Sequence, residues 1–181
     1  VLYETLAHEG YPGHLYFFNY VKQQGWHPIN FFVSNIGFEE GWAEYAARLS
    51  LDSWGLDPDM MEVIFLDQEF SYLLMGLSDI GINYGGWTVD DVYDLWETYF
   101  YLDSAEDVRD VYDACMAEPG TILSYSIGYY QICDLEEEVK EMLGESFDHN
   151  EFVTELLSVG GASFDITRSY IMEWANEKLH G

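Results

Sequence analysis

Apolar residues recur three or four positions apart along nearly the whole chain of 181 residues. This spacing places them on one face of an α-helix. Glycines, prolines and helix-capping residues divide the chain into segments of ordinary helix length. The pattern therefore predicts an all-α, multi-helix bundle. We find no repeat and no low-complexity linker, so we expect residues 1–181 to form a single domain.

The predicted helices follow from these start and stop signals. Asp57 and Pro58 are typical of a cap followed by the first helical position. The pairs Thr88 with Asp91 and Ser104 with Asp107 match the capping-box spacing. The predicted helices run from Leu2 to about Gln23, Glu39 to Trp54, Pro58 to about Ile80, Thr88 to about Tyr101, Ser104 onward, Pro119 to Leu143, Asp148 to Ser158 and Asp165 to about Leu179. The stretch near 29–36 is rich in β-branched and aromatic residues, and it is the one place where we expect a short extended piece or a buried loop.

The motif "HEGYPGH", from His8 to His14, contains two histidines and a carboxylate. On an unbroken helix, residues six positions apart differ by about 240°, so these histidines would point to nearly opposite sides. One metal ion with bonds of about 2.0 to 2.1 Å could not contact both. A metal site at this motif therefore requires a break in the helix.

Pro12 and Gly13 supply such a break. Proline has no N–H for the helical hydrogen bond, and glycine tolerates unusual backbone angles. A bulge or turn at this point would return His14 to the side of His8 and direct Glu9 into the same cavity. The alternative is a helix that ends at Gly10, followed by a turn and two unrelated histidines. The spacing alone leaves both interpretations open.

A third ligand is expected, because catalytic zinc sites generally use three protein ligands, and two histidines with a glutamate form one known set. The stretch "FEEGWAEYAARL" offers Glu39, Glu40 and Glu44. Glu40 and Glu44 are four residues apart and share a helix face, and the small apolar residues Ala43 and Ala47 flank that face. The helix register favours Glu40 over Glu39 as the third ligand. The alternative, that all three acids lie on the solvent-exposed surface, stays open.

Composition limits the classes of partner. The chain has 34 Asp and Glu against 6 Lys and Arg, a formal charge of -28. A polyphosphate backbone would be repelled, so nucleic acid is not an expected partner. The sequence has no run of about 18 apolar residues and no basic leader before an apolar segment, so neither a membrane span nor a signal peptide is predicted. Cys115 and Cys133 are too far apart for a CxxC site, and their pairing stays open.

Five segments of the chain, in order, resemble the bacterial domain-of-unknown-function family 885. They are "LAHEGYPGHLY", "FEEGWAEYA", "DIGINYGGWTVDDV", "PGTILSYSIGYYQI" and "LGESFDHNEFVTELLSVGG". Members of that family look like zinc metallopeptidases and are commonly longer. The resemblance implies that the chain is similar to their C-terminal portion and that it associates with an upstream N-terminal region.

The resemblance also implies roles for individual residues. His8, His14 and Glu40 would bind one Zn²⁺ ion, and Glu9 would act as the general base. Tyr125, in "YSIG", occupies the place of a family tyrosine that donates its phenolic O–H to an oxyanion, and Arg168 is a second candidate for that charge. The expected activity is hydrolysis of a peptide bond in a peptide or small protein substrate by a metal-activated water.

Two other functions remain open at this point. The first is a metal-binding or peptide-binding domain that is catalytically incomplete or inactive. The second is a metal-dependent amidase or esterase, because an activated water attacks any carbonyl. The resemblance suggests an extracellular or cell-envelope location, with the cytoplasm as the alternative. His27, His149 and His180 lack paired spacing and are expected to be ordinary histidines.

Overall fold

A computed structural model of the chain describes residues 2–25, 29, 33 and 35–180. Within these residues the chain forms helices, short 3₁₀ turns and loops, and no strand. The helices are α1 (Leu2–Glu9), α2 (His14–Gln23), α3 (Ile36–Ser50), α4 (Pro58–Asn83), α5 (Val89–Trp96), α6 (Arg109–Ala117), α7 (Leu123–Leu143), α8 (His149–Val159) and α9 (Phe164–His180). The all-α prediction is confirmed. No helix in the described ranges is both long and apolar enough to cross a membrane.

The predicted extended piece near 29–36 falls mostly outside the described residues. Only Ile29, Val33, Asn35 and Ile36 of that stretch are described. The last two belong to the start of α3, where the side chain of Asn35 caps the helix by accepting a hydrogen bond from the N–H of Phe38 at 3.2 Å. The helix therefore begins three residues before the predicted start at Glu39, because Asn35 supplies the cap.

The predicted caps are present at three other helix starts. Asp57 accepts a hydrogen bond from the N–H of Asp59, with Pro58 at the first helical position of α4. Thr88 and Asp91 form a reciprocal capping box at the start of α5. Ser104 and Asp107 form a second box, which opens a 3₁₀ turn that leads into α6. Local sequence was sufficient here because capping requires only neighbouring residues.

Several other helix boundaries differ from the prediction. α3 ends at Ser50, not at Trp54, and a 3₁₀ turn follows it at Leu51–Ser53. α5 ends at Trp96, not near Tyr101. α7 begins at Leu123, not at Pro119. Gly120 adopts a positive φ of 82° and donates its N–H to the buried carboxylate of Asp79 at 2.8 Å. This contact holds the Pro119–Gly120 segment as a turn, so α7 starts after it.

The described chain separates into two compact units. The first consists of Val1–Leu56 with Ile127–Gly181, and the second of Asp57–Ser126. Each compact unit is a region whose residues contact one another more than they contact the rest of the chain. This division does not test whether the chain folds as one domain, so that expectation stays a prediction. The core of the first unit combines buried side chains from α2, α3, α7, α8 and α9, among them Phe17, Trp42, Ile132, Phe152 and Ile171. The second unit has a smaller core formed by Ile82, Val92, Val108 and Cys115.

In the first unit, α3 and α7 approach each other at two glycines. A Cβ atom on Gly41 would lie 2.3 Å from the backbone carbon of Gly128, and one on Gly128 would lie 2.1 Å from the carbonyl oxygen of Gly37. Neither distance is compatible with a side chain unless the backbone moves. The glycines therefore fix how closely α3 packs against α7, which in turn fixes the position of the adjacent Glu40.

A polar network lies inside the same unit. The carboxylate of Glu136 accepts a hydrogen bond from the Tyr45 hydroxyl at 2.9 Å. It also lies 2.8 Å from Nδ1 of His149 and 3.1 Å from Nζ of Lys140. Burial alone would raise the pKa of Glu136, but these partners outweigh burial and lower it. A carboxylate held in its charged form by folded-state partners stabilises the fold.

We predict that Glu136→Gln lowers the free energy of unfolding at pH 7 by about 1 to 3 kcal/mol, because the variant loses a charged acceptor with three partners. The folded-state pKa of Glu136 is below its unfolded value, so its contribution is present above the ordinary value of 4.5 and is lost as the pH falls through the folded-state pKa. The difference between wild type and variant should therefore shrink in acid. Urea denaturation at pH 7 and at about pH 3 measures it. The exposed neighbour Glu137→Gln is the control, and an equal loss in both variants would contradict the assignment.

Candidate metal centre

The break between the two histidines of the motif is present. α1 ends at Glu9 and α2 begins at His14, and the Tyr11–Pro12 peptide between them is cis. The N–H of Gly13 donates to the carbonyl of Ala7 at 2.9 Å, which closes the end of α1. The predicted interruption by Pro12 and Gly13 is therefore confirmed as a structural feature.

Gly13 is required for this turn by a close backbone contact. A Cβ atom at Gly13 would lie 1.8 Å from the carbonyl oxygen of His8. No side chain fits at that distance, so only glycine allows the chain to fold back so tightly. The turn places the rings of His8 and His14 edge to face, with centroids 4.7 Å apart and planes at 89°.

Three side chains converge from three helices, α1, α2 and α3. The Oε2 atom of Glu40, on α3, lies 3.3 Å from Nε2 of His8 and 3.3 Å from Nε2 of His14. A ligand atom from each of the three residues lies within 4.8 Å of the others. The structure thus brings together all three residues that were predicted as ligands. Whether they bind a metal stays a prediction.

The other two acids of the α3 stretch lie in different places. Glu44 is 4% exposed, and its Oε1 lies 3.0 Å from Nδ1 of His8. Glu39 faces away, with its Oε1 beside Gly161. Register on the helix explains both positions, because Glu44 lies one turn after Glu40 on the same face and Glu39 is rotated by about 100°. Glu44 was a candidate ligand in the sequence, but its contact with the second nitrogen of His8 was not predicted.

The electrostatics of the three-residue cluster follow from these contacts. Burial alone would lower the pKa of His8, but Glu40 and Glu44 outweigh it and raise this pKa to about 9. Burial alone would raise the pKa of Glu40, but His14 and His8 outweigh it and lower this pKa to about 2. Without a metal, a protonated His8 between two carboxylates is therefore a stable alternative. A metal ion would have to displace that proton.

The donor set fits zinc. Ligand atoms about 2.0 to 2.1 Å from a tetrahedral zinc ion lie about 3.3 Å from one another, which matches the two distances from Glu40 to the histidines. Oε2 of Glu40 is buried and has no hydrogen-bond partner among the described residues, since neither approach at 3.3 Å has hydrogen-bond geometry. A buried carboxylate oxygen without such a partner is costly unless a cation compensates for it, and either a metal ion or the proton on His8 supplies that cation. Glu44 would orient His8 through its second nitrogen, an arrangement typical of metal-binding histidines.

Glu9, the predicted general base, is the last residue of α1 and is exposed. It has neither a hydrogen-bond nor an ion-pair partner within the described part of the chain. The adjacent His8 is buried. Glu9 is not part of the group of converging donors, so the expectation that Glu9 points into the same cavity stays a prediction. The exposure of Glu9 is compatible with a group that exchanges protons with water.

Tyr125 and Arg168 are the other two residues with predicted roles at the site. Tyr125 belongs to the second compact unit, where its ring packs against Tyr72 with centroids 5.2 Å apart. Its role at an oxyanion stays a prediction. Arg168 forms an ion pair with Glu138 on the exposed surface of the first unit. Its guanidinium is therefore already engaged by a carboxylate outside the cluster.

The remaining histidines and cysteines have ordinary environments. His149 contacts Glu136, and Nδ1 of His180 lies 3.0 Å from the carbonyl oxygen of Asn176. His27 lies outside the described residues. Cys115 and Cys133 form no disulfide bond with each other, which answers the question of their pairing that the sequence left open.

Comparisons with known proteins identify relatives of the chain. The sequence model of a family described as "Bacterial protein of unknown function (DUF885)" matches residues 2–171. A solved structure described as a "putative lipoprotein" from Colwellia psychrerythraea superposes with a TM-score of 0.82 at 23% identity, covering 96% of this chain and 30% of that one. A second solved structure, described as a "putative lipoprotein of unknown function" from Shewanella oneidensis, superposes with a TM-score of 0.76 at 23% identity. It covers 93% of this chain and 31% of that one. No curated protein matches the chain.

These similarities establish the fold, and they show that the chain matches only part of each similar structure. At 23% identity the solved structures support the helical architecture and not an activity. The chain spans less than a third of the length of either one. The activity and the partners of a whole protein of that length are therefore matters for proposal.

We predict that the chain, incubated with zinc and then desalted, keeps about one zinc ion per molecule. His14→Ala should keep much less, because two protein ligands rarely hold zinc tightly. Elemental analysis of the desalted proteins measures the content, and circular dichroism checks that the variant is folded. His149→Ala is the matched control and should keep its zinc. A wild-type chain without zinc, or equal contents in all three proteins, would argue for the metal-free ion pair.

We also predict that Glu44→Gln weakens zinc binding by about 10-fold to 100-fold, because the charged acceptor that orients His8 is replaced by a neutral amide. Competition with a chromogenic chelator measures the dissociation constant. The control is Glu39→Gln on the same helix, whose side chain lies beside Gly161. Equal affinities for the two variants would show that Glu44 has no role in holding His8 for the metal.

Proposed function

The chain belongs to the bacterial DUF885 family, and we propose that this member is a zinc-dependent hydrolase that cleaves peptide bonds. One observation carries the proposal. His8, His14 and Glu40 bring a ligand atom each to within 4.8 Å of one another in a partly buried cluster. Two imidazoles and one carboxylate form a known catalytic zinc set that leaves a coordination position for water or substrate. The exposed carboxylate of Glu9 follows directly after the first of these ligands.

Zinc, when bound by His8, His14 and Glu40, would supply an electrophilic centre that acidifies water and polarises a carbonyl. The protein residues divide the remaining tasks. The Oε1 atom of Glu44, 3.0 Å from Nδ1 of His8, fixes the tautomer that presents Nε2 to the cluster. The tight turn at Gly13 keeps Nε2 of His14 beside the same point.

Glu9 is the proposed proton carrier. As general base its carboxylate takes a proton from the attacking water and later delivers it to the leaving amine. Its exposure is compatible with this task, because the carboxylate is open to solvent. Tyr125 is the proposed donor to the oxyanion, on the basis of the resemblance alone.

Two alternatives remain. The first is a metal-binding or peptide-binding domain without turnover. Its peptide-binding form needs no metal, and it is compatible with a pKa of His8 that Glu40 and Glu44 raise to about 9, because the proton on His8 then neutralises these carboxylates in part. An amidase or esterase would use the same donors, because the cluster does not select the leaving group. Substrate preference therefore has to be measured.

We also propose an extracellular or cell-envelope location, since each of the two solved structures of similar fold is described as a "putative lipoprotein". The cytoplasm is the alternative. Fractionation of the native host, with an antibody against this chain, distinguishes the two.

We predict that Glu9→Gln reduces peptide cleavage at least about 100-fold while the zinc content stays unchanged, because the amide cannot carry the proton. Mass spectrometry of a peptide library incubated with the zinc-loaded protein measures cleavage, and elemental analysis measures zinc. Glu173→Gln, an exposed acid on α9, is the control and should remain active.

The outcomes separate the three functions. Bound zinc without cleavage of any peptide by the unmodified chain would favour the binding domain. Hydrolysis of a panel of esters or non-peptide amides, but not of peptides, would favour the second alternative. Cleavage that survives in Glu9→Gln would remove this residue from the mechanism.

A further inference from the structure

One face of α4 is apolar and exposed over five turns. Its residues, which we name the α4 stripe, are Val63, Leu66, Phe70, Leu73, Leu77 and Ile80, with exposed fractions of 65%, 53%, 37%, 43%, 52% and 47%. Their spacing alternates strictly between three and four residues. Six large apolar side chains in a single row are not the scattered exposure that is normal for a protein surface.

The α4 stripe is separate from the face that α4 buries in its own unit. Met61, Leu74, Ser78 and Ile82 lie on the buried side, and the last of these belongs to the core of the second unit. The stripe is widened by aromatic rings, since Phe70 contacts the ring of Tyr99 with centroids 5.1 Å apart. Tyr99 is itself 55% exposed. Exposed aromatic anchors of this kind are typical of binding surfaces.

The spacing indicates what shape of partner fits. Apolar residues that alternate three and four apart form the seam that one helix presents to another. A flat surface or a small ligand would contact only part of such a row. A second helix contacts it along its whole length, with side chains interleaved.

Charge indicates the chemistry of that partner. Residues 57–126 contain 16 Asp and Glu and a single cationic residue, Arg109. Arg109 is 3.6 Å from Glu106 and so is already near a carboxylate. Asp59 and Asp67, both exposed, lie along the first half of α4 beside the stripe. A second copy of this chain would bring the same acids to the same row, and like charges at flanking positions weaken helix pairing.

We propose that the α4 stripe binds a free cationic peptide that forms an amphipathic helix, with an apolar row against the stripe and lysine or arginine on either side. The apolar row supplies most of the affinity, because it removes six exposed side chains from water. The basic flanks supply selectivity through the acidic surface of the second unit. The inference is independent of the metal centre and holds whether or not the chain is a hydrolase.

Three synthetic peptides of about 21 residues test the proposal. The first has leucine at positions a and d of each heptad and lysine at e and g. The second has the same leucines with glutamate at e and g, and the third has the lysine composition in scrambled order. Fluorescence anisotropy of labelled peptides, with the protein treated with chelator to prevent cleavage, measures binding.

We expect the lysine peptide to bind at least about tenfold more tightly than either other peptide, and its affinity to fall as salt rises from about 0.05 to about 0.5 M, because salt screens the flanking charges. Leu73→Gln combined with Leu77→Gln should weaken binding at least about tenfold, since two central contacts are lost. Met116→Gln is the matched control, because Met116 is 52% exposed on α6 and lies outside the stripe. It should leave binding unchanged.

Several results would overturn the inference. Equal binding of the lysine and glutamate peptides would show that charge does not select the partner. An equal loss in the Met116 control would show that the stripe is not the site, and the absence of binding by all peptides would remove the peptide partner altogether. Light scattering completes the test, because a dimer that the double leucine variant abolishes would identify a second copy as the occupant.

Discussion

The contact between the backbone of Gly13 and the carbonyl of His8 controls the geometry of the candidate centre. A helix that continued through the motif would separate the two imidazoles by about 240°. The turn brings the two imidazoles back to the same side. It can form only because residue 13 is glycine, since a Cβ atom there would lie 1.8 Å from the carbonyl oxygen of His8. The insertion of two residues relative to the usual HExxH spacing therefore preserves a shared direction for the histidines and changes only the backbone path.

The position of α3 at the centre is set by a pair of glycines, Gly41 and Gly128. Glu40 and Gly41 are adjacent on α3, so their directions differ by about 100°. Gly41 faces α7, where a Cβ atom would lie 2.3 Å from Gly128, and Glu40 faces the histidines. The close packing of α3 against α7 thus fixes the backbone segment that carries Glu40. The segment "EEGWAEY" contains both residues. Gly41 packs against α7, and its neighbour Glu40 supplies the carboxylate of the centre.

The sequence predicts local features of this fold well because their causes are local. The caps at Asp57, Thr88 and Ser104 and the break at Pro12 depend on residues within a few positions of each other. The start of α7 could not be predicted, because the turn at Gly120 is held by Asp79, which is 41 positions away. The same limit applies to Glu44, whose partner His8 is on another helix. Nor could sequence assign the exposed face of α4, because that helix has apolar residues on both faces and periodicity does not say which one is buried.

Two carboxylates and two imidazoles meet in the candidate centre, so its net charge depends on whether a proton or a metal ion occupies it. Glu40 and Glu44 are both within 3.3 Å of His8, which places two carboxylates around one imidazole in a largely buried environment. A proton on His8 compensates for one of these charges and leaves the four contacting groups with one net negative charge. A divalent cation with neutral imidazoles would bring the same groups to zero, and a buried cluster is less costly when its charges cancel. On this balance a second carboxylate behind His8 is compatible with the proposed metal site, and the contact of Glu44 with His8 is one that neither the ligand count nor the motif predicts.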